Sequence, residues 1–345
     1  MRAVVTEGVG TMAVVERPEP APPGPGEVVV APEAIGICGS DYHLFAGELS
    51  EAAGGSAFPR VQGHEVAATV VAMGPGCRDD LRVGQRVAIW PLHACGTCYP
   101  CSVGRGNTCD SFKLTGVHLD GGLQERLAIG QDHVFPVGID DASVAAMAEP
   151  VSIAVRAVHR ARIAAGEKVV VLGGGPIGQA VCLVAREHGA CVLVVDLQQS
   201  RLALASELGA EQVLPWTGFD EVVAAARRWA GAGGPPVVVD ATGAAPAVHA
   251  MLEMVASAGR AVQVGMSNHE VPLRVGLMTE KELDLLGVSC CGASEFGDAV
   301  GVVERNAGLL SRLISHQFAL AEAPAALRYA MSNPNEVMKV VIRGE

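Results

Sequence analysis

The sequence predicts a two-domain α/β protein, in which a β-rich domain is followed by a domain built around a parallel sheet. The chain has 345 residues, enough for about two domains of ordinary size. Residues 1–152 are broken by Gly and Pro and carry short β-branched runs, whereas short apolar runs alternate with Ala-rich segments in residues 153–289. Short strands joined by turns indicate the first kind of domain, and alternating strands and helices indicate the second.

Composition excludes several classes of protein. Half of the residues are apolar and 18% are charged, which excludes a disordered chain. The 25 basic and 37 acidic residues give a formal charge of −12, so we expect neither nucleic acid nor a membrane as a partner. The sequence has no long uninterrupted apolar run and no signal-peptide pattern at its start, which favours a cytoplasmic location. In that reducing compartment, the ten cysteines are expected to be metal ligands or buried thiols.

Short β-branched runs mark the strands of the first domain. We expect strands at Glu27–Val30, Val66–Val71 and Arg86–Ile89. The segment PEPAPPGPG at 18–26 is expected to be a surface loop within this domain, because Pro can join neither a ladder nor a helix interior.

Predicted strands and helices alternate along the second domain. The predicted strands are Lys168–Leu172, Cys191–Val195, Val237–Asp240 and Ala261–Val264, and the predicted helices are Ile177–His188 and Ser200–Leu208. Residues 290–345 are too few for a domain of their own. They are predicted to hold one helical stretch, Pro324–Met331, and a closing strand, Val337–Ile342, and to pack back onto the first domain.

A glycine-rich turn follows the first predicted strand of the second domain. Residues 169–178 read VVVLGGGPIG, so Gly173, Gly175 and Gly178 form the pattern G-x-G-x-x-G between a buried strand and a helix. Glycines allow a tight turn and a close approach to a pyrophosphate, and the helix N-terminus offers free N–H groups. The alternative is a glycine turn that serves only helix packing.

The next strand ends at Asp196, eighteen residues after Gly178. A carboxylate there can hydrogen-bond the ribose hydroxyls of NAD and would repel a 2′-phosphate. We therefore predict a dinucleotide site that prefers NAD to NADP. The predicted cofactor-binding residues are Gly173, Gly175, Pro176, Ile177, Gly178, Asp196 and Arg201.

Four cysteines lie in one loop, at the spacing x2, x2, x7. They are Cys95, Cys98, Cys101 and Cys109. Four thiolates at short spacing can hold one tetrahedral zinc ion and leave no position open, so such a site would hold the loop in shape without doing chemistry. A pair of disulfides and an iron–sulfur cluster are the alternatives.

A second set of possible ligands is scattered along the first domain. The segment ICGSDYH contains Cys38, QGHE contains His64 and Glu65, and AEP contains Glu149. Each residue alone is compatible with ordinary core packing. Together they offer one thiolate, one imidazole and one or two carboxylates, a set that leaves a coordination position open as a catalytic zinc requires.

With these motifs in this order, the chain resembles the zinc-dependent medium-chain dehydrogenases, the superfamily of alcohol, sorbitol and threonine dehydrogenases. The resemblance covers essentially the whole chain and includes the Cys38 segment, GHE at 63–65, the four-cysteine loop, EP at 149–150, GGGPIG with Asp196, and the tail from His316 to Ile342. It implies a GroES-like β-rich catalytic domain and a Rossmann domain, with the active site in the cleft between them.

The resemblance also implies how a catalytic zinc would be held. Cys38, His64 and Glu149 would be its ligands, and Glu65 would enter or leave the coordination sphere. Asp41 would lie behind His64 and fix the tautomer of its imidazole.

The same resemblance implies a path for the substrate proton. Ser40 would accept the proton of the substrate hydroxyl, and His43 would pass it to solvent through the coenzyme ribose. A pKa near neutrality suits a histidine to this duty. Zinc would lower the pKa of the alcohol, and the nicotinamide would take the hydride.

The predicted reaction is the zinc-dependent, NAD-linked oxidation of a secondary alcohol to a ketone. The CGSDxH segment and the carboxylate-rich ligand set resemble those of polyol, sugar and threonine dehydrogenases, so a polyol, sugar or sugar acid is the first choice of substrate. L-threonine or a vicinal diol of the butanediol type is the second. Sorbitol dehydrogenases carry an Arg-Tyr pair on the strand where Cys290 and Cys291 are expected here, which argues against sorbitol itself.

Two other classes remain as alternatives, a zinc-free quinone or enone reductase and a non-catalytic NAD-binding protein.

The loop Gly47–Arg60 is expected to line the mouth of the cleft. An apolar strand region, Val271–Val288, lies where similar proteins pair their Rossmann sheets, which implies a homodimer or homotetramer. The alternative is a covered edge strand in a monomer.

Overall fold

A computed structural model describes residues 1–49, 57–267 and 269–344. The chain divides into two compact units: the first is formed by Met1–Ser152 together with Cys290–Glu345, and the second by Ile153–Ser289. Half of the predicted cleft-lining loop, residues 50–56, lies outside the described residues. Within the described residues, no helix is long and apolar enough to cross a membrane.

The N-terminal part of the chain is mostly strands. Its elements are β1 (Arg2–Gly8), β2 (Thr11–Glu16), β3 (Glu27–Ile37), α1 (Gly39–Ala46), β4 (Arg60–Val61), β5 (Glu65–Met73), β6 (Arg86–Ile89), β7 (Leu92–His93), α2 (Tyr99–Ser102), β8 (Lys113–Leu114), β9 (Leu127–Gly130), β10 (Val134–Pro136), α3 (Ala142–Ala145) and α4 (Ala148–Ala161).

The middle part alternates strands and helices, and the C-terminal part adds helices and two strands. The middle elements are β11 (Lys168–Leu172), α5 (Pro176–Glu187), β12 (Cys191–Asp196), α6 (Gln199–Glu207), β13 (Gln212–Pro215), α7 (Phe219–Ala230), β14 (Val237–Asp240), α8 (Ala245–Met254), β15 (Arg260–Gln263), α9 (Val275–Lys281) and β16 (Asp284–Gly287). The C-terminal elements are α10 (Ala293–Arg305), α11 (Ala307–Leu310), β17 (Ile314–Ala319), α12 (Ala323–Ser332) and β18 (Lys339–Arg343).

The first unit is built around a sheet with the strand order β10-β6-β5-β3-β18-β17, and β9 also pairs with β3. A smaller sheet has the order β2-β1-β4. β3 is the long central strand, and its β-branched residues Val28, Val30 and Ile35 pack into the core. Pro32 interrupts it where the register with β5 shifts, as expected because Pro cannot donate to a ladder. β18 pairs antiparallel with β3, which places the end of the chain in this sheet.

The second unit contains a parallel sheet with the strand order β13-β12-β11-β14-β15-β16. Residues 169–172 of β11 and all of β14 are buried, as expected for strands covered on both faces. The strand order reverses beside β11, because β12 and β14 lie on opposite sides of it. In open α/β sheets, ligands bind outside the carboxyl ends of the strands at such a reversal, and the glycine-rich turn follows β11 there.

Three sequence expectations for the chain after residue 270 were wrong. Residues 290–345 contain α10, α11 and β17 besides the predicted helix and strand. The apolar residues Phe296, Ala299, Val300 and Val303 of α10 are buried and follow helical spacing, but intervening glycines obscured the pattern. The region Val271–Val288 is not one strand, because it forms α9 and then the short edge strand β16.

The third correction concerns Cys290 and Cys291, which were expected on a strand. They lie in the connection between β16 and α10, and Cys290 has a φ of 45°. This left-handed backbone is incompatible with a strand. The side chain of Cys291 is buried and lies 3.1 Å from the hydroxyl of Ser152, as expected for an inert thiol.

Candidate metal centres and dinucleotide site

A thiol, an imidazole and a carboxylate meet where β3 ends and β5 begins. Cys38 follows β3 directly and is the N-cap of α1, and His64 immediately precedes β5. Gly36 pairs with Glu65 across the two strands, which places the residues flanking them side by side. As a result, ligand atoms of Cys38, His64 and Glu65 lie within 4.8 Å of one another. The structure thus brings together three of the four residues predicted as ligands of a catalytic zinc.

Asp41 lies behind His64, as the resemblance implies. It is 1% exposed, and its Oδ2 lies 3.7 Å from Nδ1 of His64 and accepts a hydrogen bond from the backbone N–H of Cys38. Burial raises the pKa of Asp41, although His64 opposes the shift. Burial alone would lower the pKa of His64, but the carboxylate of Asp41 and the thiol of Cys38 outweigh this effect and raise that pKa well above its usual range.

Glu65 forms a buried ion pair that the sequence analysis missed. Nζ of Lys339, on β18, donates to both carboxylate oxygens of Glu65, at 2.7 and 2.8 Å. A Cβ at Gly36 would collide with Oε2 of Glu65, so the glycine on β3 makes room for this carboxylate. A single lysine in the apolar run VMKVVIR was the only signal in the sequence.

Glu149 lies on the first turn of α4 and is not part of the 4.8 Å cluster. Burial is the main cause that raises its pKa to about 7; His64 and Lys339 oppose the shift, and the nearby carboxylates of Glu65 and Asp41 add to it. Several carboxylates that repel one another when ionised are therefore buried close together. A divalent cation would relieve that repulsion, so the electrostatics of the site fit a bound metal.

The two predicted proton-relay residues lie on α1. Oγ of Ser40 is 3.5 Å from Nε2 of His64, the imidazole nitrogen that faces away from Asp41. His43 is three residues further along the same helix, which places it on the same face. Its side chain is 39% exposed, and its Nδ1 lies 3.5 Å from a carboxylate oxygen of Glu48.

The four cysteines of the loop converge as a tetrahedral zinc requires. Sγ of Cys98 lies 3.4 Å from that of Cys101 and 3.7 Å from that of Cys109, and all four residues are free thiols. Zinc–sulfur bonds of about 2.3 Å place the sulfurs of a tetrahedral site about 3.8 Å apart. Backbone N–H groups of Thr97 and Cys98 point at Sγ of Cys95, and hydrogen bonds from Thr97 lower the pKa of that thiol to about 5. Such a thiolate is ready to bind a metal.

The glycine-rich turn has the geometry of a phosphate-binding turn. Gly173 has a φ of +97°, and a Cβ at Gly178 would collide with the carbonyl oxygen of Gly173. By contrast, a Cβ at Gly175 would meet no atom within 4 Å. Gly175 is the N-cap of α5, and Pro176 and Ile177 form its first turn. The open space at Gly175 and the free N–H groups of the helix fit a pyrophosphate.

Asp196 is held at the carboxyl end of β12. Its Oδ2 accepts a hydrogen bond of 2.6 Å from the backbone N–H of Gly174, and its Oδ1 accepts one from Gln198. Nη1 of Arg201, on α6, lies 3.9 Å from Oδ2. The structure therefore brings together the glycine turn, Asp196 and Arg201, all of which were predicted to bind the coenzyme.

Gln179 is a further residue of this site that the sequence analysis missed. Its side chain is fully buried at the start of α5, and its Nε2 donates to the carbonyl oxygens of Gly174 and Arg201, at 2.9 and 2.8 Å. It thus links the glycine turn to α6. A glutamine directly after Gly178, in a helix whose other residues are apolar or glycine up to Ala185, was the available signal.

Comparisons with known proteins identify the family. Residues 24–139 match the family model of the alcohol dehydrogenase GroES-like domain, and residues 176–305 match that of the zinc-binding dehydrogenases. The chain is 33% identical to a 2-dehydro-3-deoxy-L-galactonate 5-dehydrogenase of Pseudoalteromonas atlantica over 92% of both chains. It is 31% identical to a sorbitol dehydrogenase of Halalkalibacterium halodurans over 99% of both chains.

A solved structure is also similar. It is a zinc-binding dehydrogenase from Sinorhizobium meliloti bound to NADP, with a TM-score of 0.89 and 31% identity. The match covers 99% of this chain and 98% of that one.

Proposed function

The chain belongs to the superfamily of zinc-dependent medium-chain dehydrogenases, and on that premise we propose that it oxidises a secondary alcohol of a polyol, sugar or sugar acid to the ketone, with NAD as the hydride acceptor. The observation that carries the proposal is the cluster of Cys38, His64 and Glu65 beside the hydroxyl of Ser40. The superfamily makes the protein an oxidoreductase. The substrate class, the coenzyme and the residue roles are the proposal.

The thiolate of Cys38, Nε2 of His64 and the carboxylate of Glu149 would hold a zinc ion. Both oxygens of Glu65 accept hydrogen bonds from Lys339. Glu65 would therefore bind the zinc ion only after its ion pair with Lys339 breaks. A zinc ion held there supplies Lewis acidity, which lowers the pKa of an alcohol hydroxyl by several units.

Residues of the chain itself move the proton and hold the coenzyme. Ser40 accepts the proton of the substrate hydroxyl, because its Oγ lies beside the metal-facing nitrogen of His64. His43, whose imidazole reaches solvent, passes the proton on. In the second unit, the glycine turn and the N-terminus of α5 bind the pyrophosphate, and Asp196 binds the adenosine ribose.

The fixed carboxylate of Asp196 supports NAD as the coenzyme. Gly174 and Gln198 hold both of its oxygens, and Leu197 next to it is 77% exposed and offers no charge to a phosphate. A 2′-phosphate would meet a negative carboxylate there, although Arg201 lies close by and the similar dehydrogenase of Sinorhizobium meliloti was solved with NADP. Replacing Asp196→Ala should lower kcat/KM for NAD by about 10- to 100-fold, as the loss of hydrogen bonds from a charged group predicts. A lower kcat/KM for NAD than for NADP in the wild type would contradict this choice.

The relatives suggest the class of substrate. One of them is named for a sugar acid and another for a polyol, which supports a hydroxyl on a polyhydroxylated chain. We would measure kcat/KM with NAD for polyols, aldonates, vicinal diols, L-threonine and simple primary alcohols. A polyol or aldonate should give the highest value. A higher value for primary alcohols would remove the support for this substrate class.

The zinc chemistry is tested by one cysteine substitution. Cys38→Ser should abolish turnover and lower the zinc content from two ions to one per chain, while the fold survives. Cys77→Ser is the matched control, because Cys77 belongs to neither metal cluster. A Cys38→Ser enzyme that keeps full activity and both zinc ions would contradict the proposal.

Two further expectations complete the proposed function. We expect the protein to act in the cytoplasm as a homodimer or homotetramer. β16 lies at the edge of the parallel sheet in the described residues, and Leu285 on it is partly exposed. Sedimentation analysis measures the assembly state directly, and a monomer at micromolar concentration would contradict the expectation.

A further inference from the structure

We propose that Gln62 is a positioning residue for the catalytic metal site, acting through Asp41 on the zinc ligand His64. The inference rests on the proposed function, since it concerns the same metal site. It assigns to Gln62, and to Thr6 behind it, the task of holding the carboxylate that orients the imidazole.

A chain of buried polar groups leads from β1 to His64. The hydroxyl of Thr6 donates to Oε1 of Gln62 at 2.6 Å, and Nε2 of Gln62 donates to the backbone carbonyl of Asp41 at 2.9 Å. The same Nε2 lies 3.4 Å from Oδ1 of Asp41. Thr6 and Gln62 are 0% exposed. Thr6 pairs with Arg60 of β4, and this pairing brings β1 beside the segment that contains Gln62.

These contacts allow the Gln62 amide only one orientation. Both groups of Asp41 that face Gln62, a carbonyl and a carboxylate, accept hydrogen bonds and cannot donate them. A reversed amide would point its own oxygen at two acceptors in a buried place, which is costly. The hydroxyl of Thr6 can donate, so it satisfies Oε1 and leaves Nε2 for Asp41.

The Gln62 amide in turn fixes the carboxylate of Asp41. The backbone N–H of Cys38 binds Oδ2, and Nε2 of Gln62 lies on the side of Oδ1, so the two donors act on opposite oxygens and limit rotation of the group. Oδ2 therefore stays on the Nδ1 side of His64, 3.7 Å away. This distance is longer than a hydrogen bond, and the buried Nδ1 has no hydrogen-bond partner in the described part of the chain. The carboxylate held there acts on the imidazole through its charge: it favours the tautomer with the proton on Nδ1 and leaves Nε2 free as a ligand, and partners of this kind affect metal affinity strongly.

The test measures zinc affinity at the Cys38 site in Gln62→Leu and Thr6→Val, two variants that remove the buried contacts with little change in volume. Thr6→Ser keeps the hydroxyl, and Gln212→Leu changes an exposed glutamine of the second unit. Holoenzyme is titrated with a zinc chelator, and the zinc that remains is counted by elemental analysis. The four-cysteine site serves as an internal reference. Cys38→Ser is expected to hold zinc only there, so its zinc content shows how much of the metal belongs to the four-cysteine site.

We expect Gln62→Leu to weaken zinc binding at the Cys38 site by about tenfold, the lower end of the effect known for residues that orient a metal ligand. Thr6→Val should weaken it less, and both controls should match the wild type. In cobalt-substituted protein, the thiolate charge-transfer band of the Cys38 site should shift in Gln62→Leu, whereas the four-cysteine band should not.

Two results would overturn this inference and leave the proposed function intact. The first is wild-type zinc affinity in Gln62→Leu. The second is a loss of metal from both sites in parallel with a lower Tm, because it would indicate a purely structural role. A wild-type chain that holds zinc only at the four cysteines would instead overturn the proposed function, and this inference with it.

Discussion

Nζ of Lys339 lies 2.7 Å from one carboxylate oxygen of Glu65 and 2.8 Å from the other, and the two residues are 274 positions apart in the sequence. Both side chains are buried, and Nζ also donates to the carbonyl oxygen of Ile37. The last strand of the chain therefore supplies the countercharge for a carboxylate in the metal cluster. The ion pair ties the C-terminal segment to the candidate metal site.

Replacing Lys339→Met should destabilise the protein, because it leaves the carboxylate of Glu65 buried without its partner. Loss of one member of a buried ion pair costs about 3 to 5 kcal/mol. The free energy of unfolding in urea measures the effect. The double variant Glu65→Gln with Lys339→Met should recover much of the loss, since it removes the unpaired charge.

Lys168→Met provides the control for that prediction. Lys168 pairs with Glu211 where solvent reaches both side chains, and such pairs contribute about 1 kcal/mol or less. Equal destabilisation by the two lysine substitutions would show that the buried Lys339 pair contributes no more to the free energy of unfolding than the solvent-accessible pair.

The sequence predicted the strands well where a short apolar run stands between turn residues. β6, β11 and β14 begin and end where the sequence placed them. It failed for α10, because Gly297 and Gly301 interrupt the apolar pattern and only burial of the remaining residues makes the helix evident. Intrinsic helix propensity is a weak guide to secondary structure at such places.

For the sites, the sequence predicted the residue types but not their long-range partners. Cys38, His64 and Asp196 were predicted as site residues from their residue types, the short motifs that contain them and the family resemblance. Lys339 and Gln179 could not, since their roles depend on contacts made across the fold. A single polar residue in an apolar run gives no hint of which group it will meet.

Replacing Gln179→Leu should weaken coenzyme binding. The substitution removes the two hydrogen bonds that Nε2 donates to the carbonyl oxygens of Gly174 and Arg201, and the loss of a donor to a buried acceptor costs about 1 to 3 kcal/mol. Because both carbonyls lie in the proposed dinucleotide site, part of this cost should appear as a higher Kd for NADH. Quenching of protein fluorescence by NADH measures the Kd directly.

Gln179→Glu gives a sharper version of the same test. It replaces the donor with a carboxylate that faces two carbonyl oxygens, so binding should weaken more than in the leucine variant. Gln131→Leu, in the first unit, is the control. An unchanged Kd in both Gln179 variants would mean that the link between the turn and α6 does not affect coenzyme binding.

Acid should destabilise the first unit through Glu33. A hydrogen bond from Arg86 lowers the pKa of Glu33 below its ordinary value of 4.5. The unfolded chain therefore takes up the proton first as the pH falls. The stability that this pair contributes is fully present above the ordinary pKa and is lost as the pH falls through the lowered one.

Glu33→Gln should consequently reduce the slope of unfolding free energy against pH between about pH 5 and pH 3. Asp79→Asn, which removes an exposed carboxyl, should leave the slope nearly unchanged. If the slope of Glu33→Gln equalled that of the wild type, the pair with Arg86 would not contribute to acid sensitivity.

The four-cysteine loop should depend on its metal for its shape. α2, between Cys98 and Val103, has only four residues and cannot be stable by itself, and Cys95 is exposed. Cys98→Ser should therefore release one zinc ion per chain and raise the rate of proteolysis within residues 95–109 by about tenfold, because the loop loses the bond that closes it. The zinc at the Cys38 site should remain, since its proposed ligands follow β3, precede β5 and lie on α4, all outside this loop. Mass spectrometry of the fragments locates the cleavage. Cleavage spread evenly over the first unit would mean instead that the metal supports the whole unit and not this loop alone.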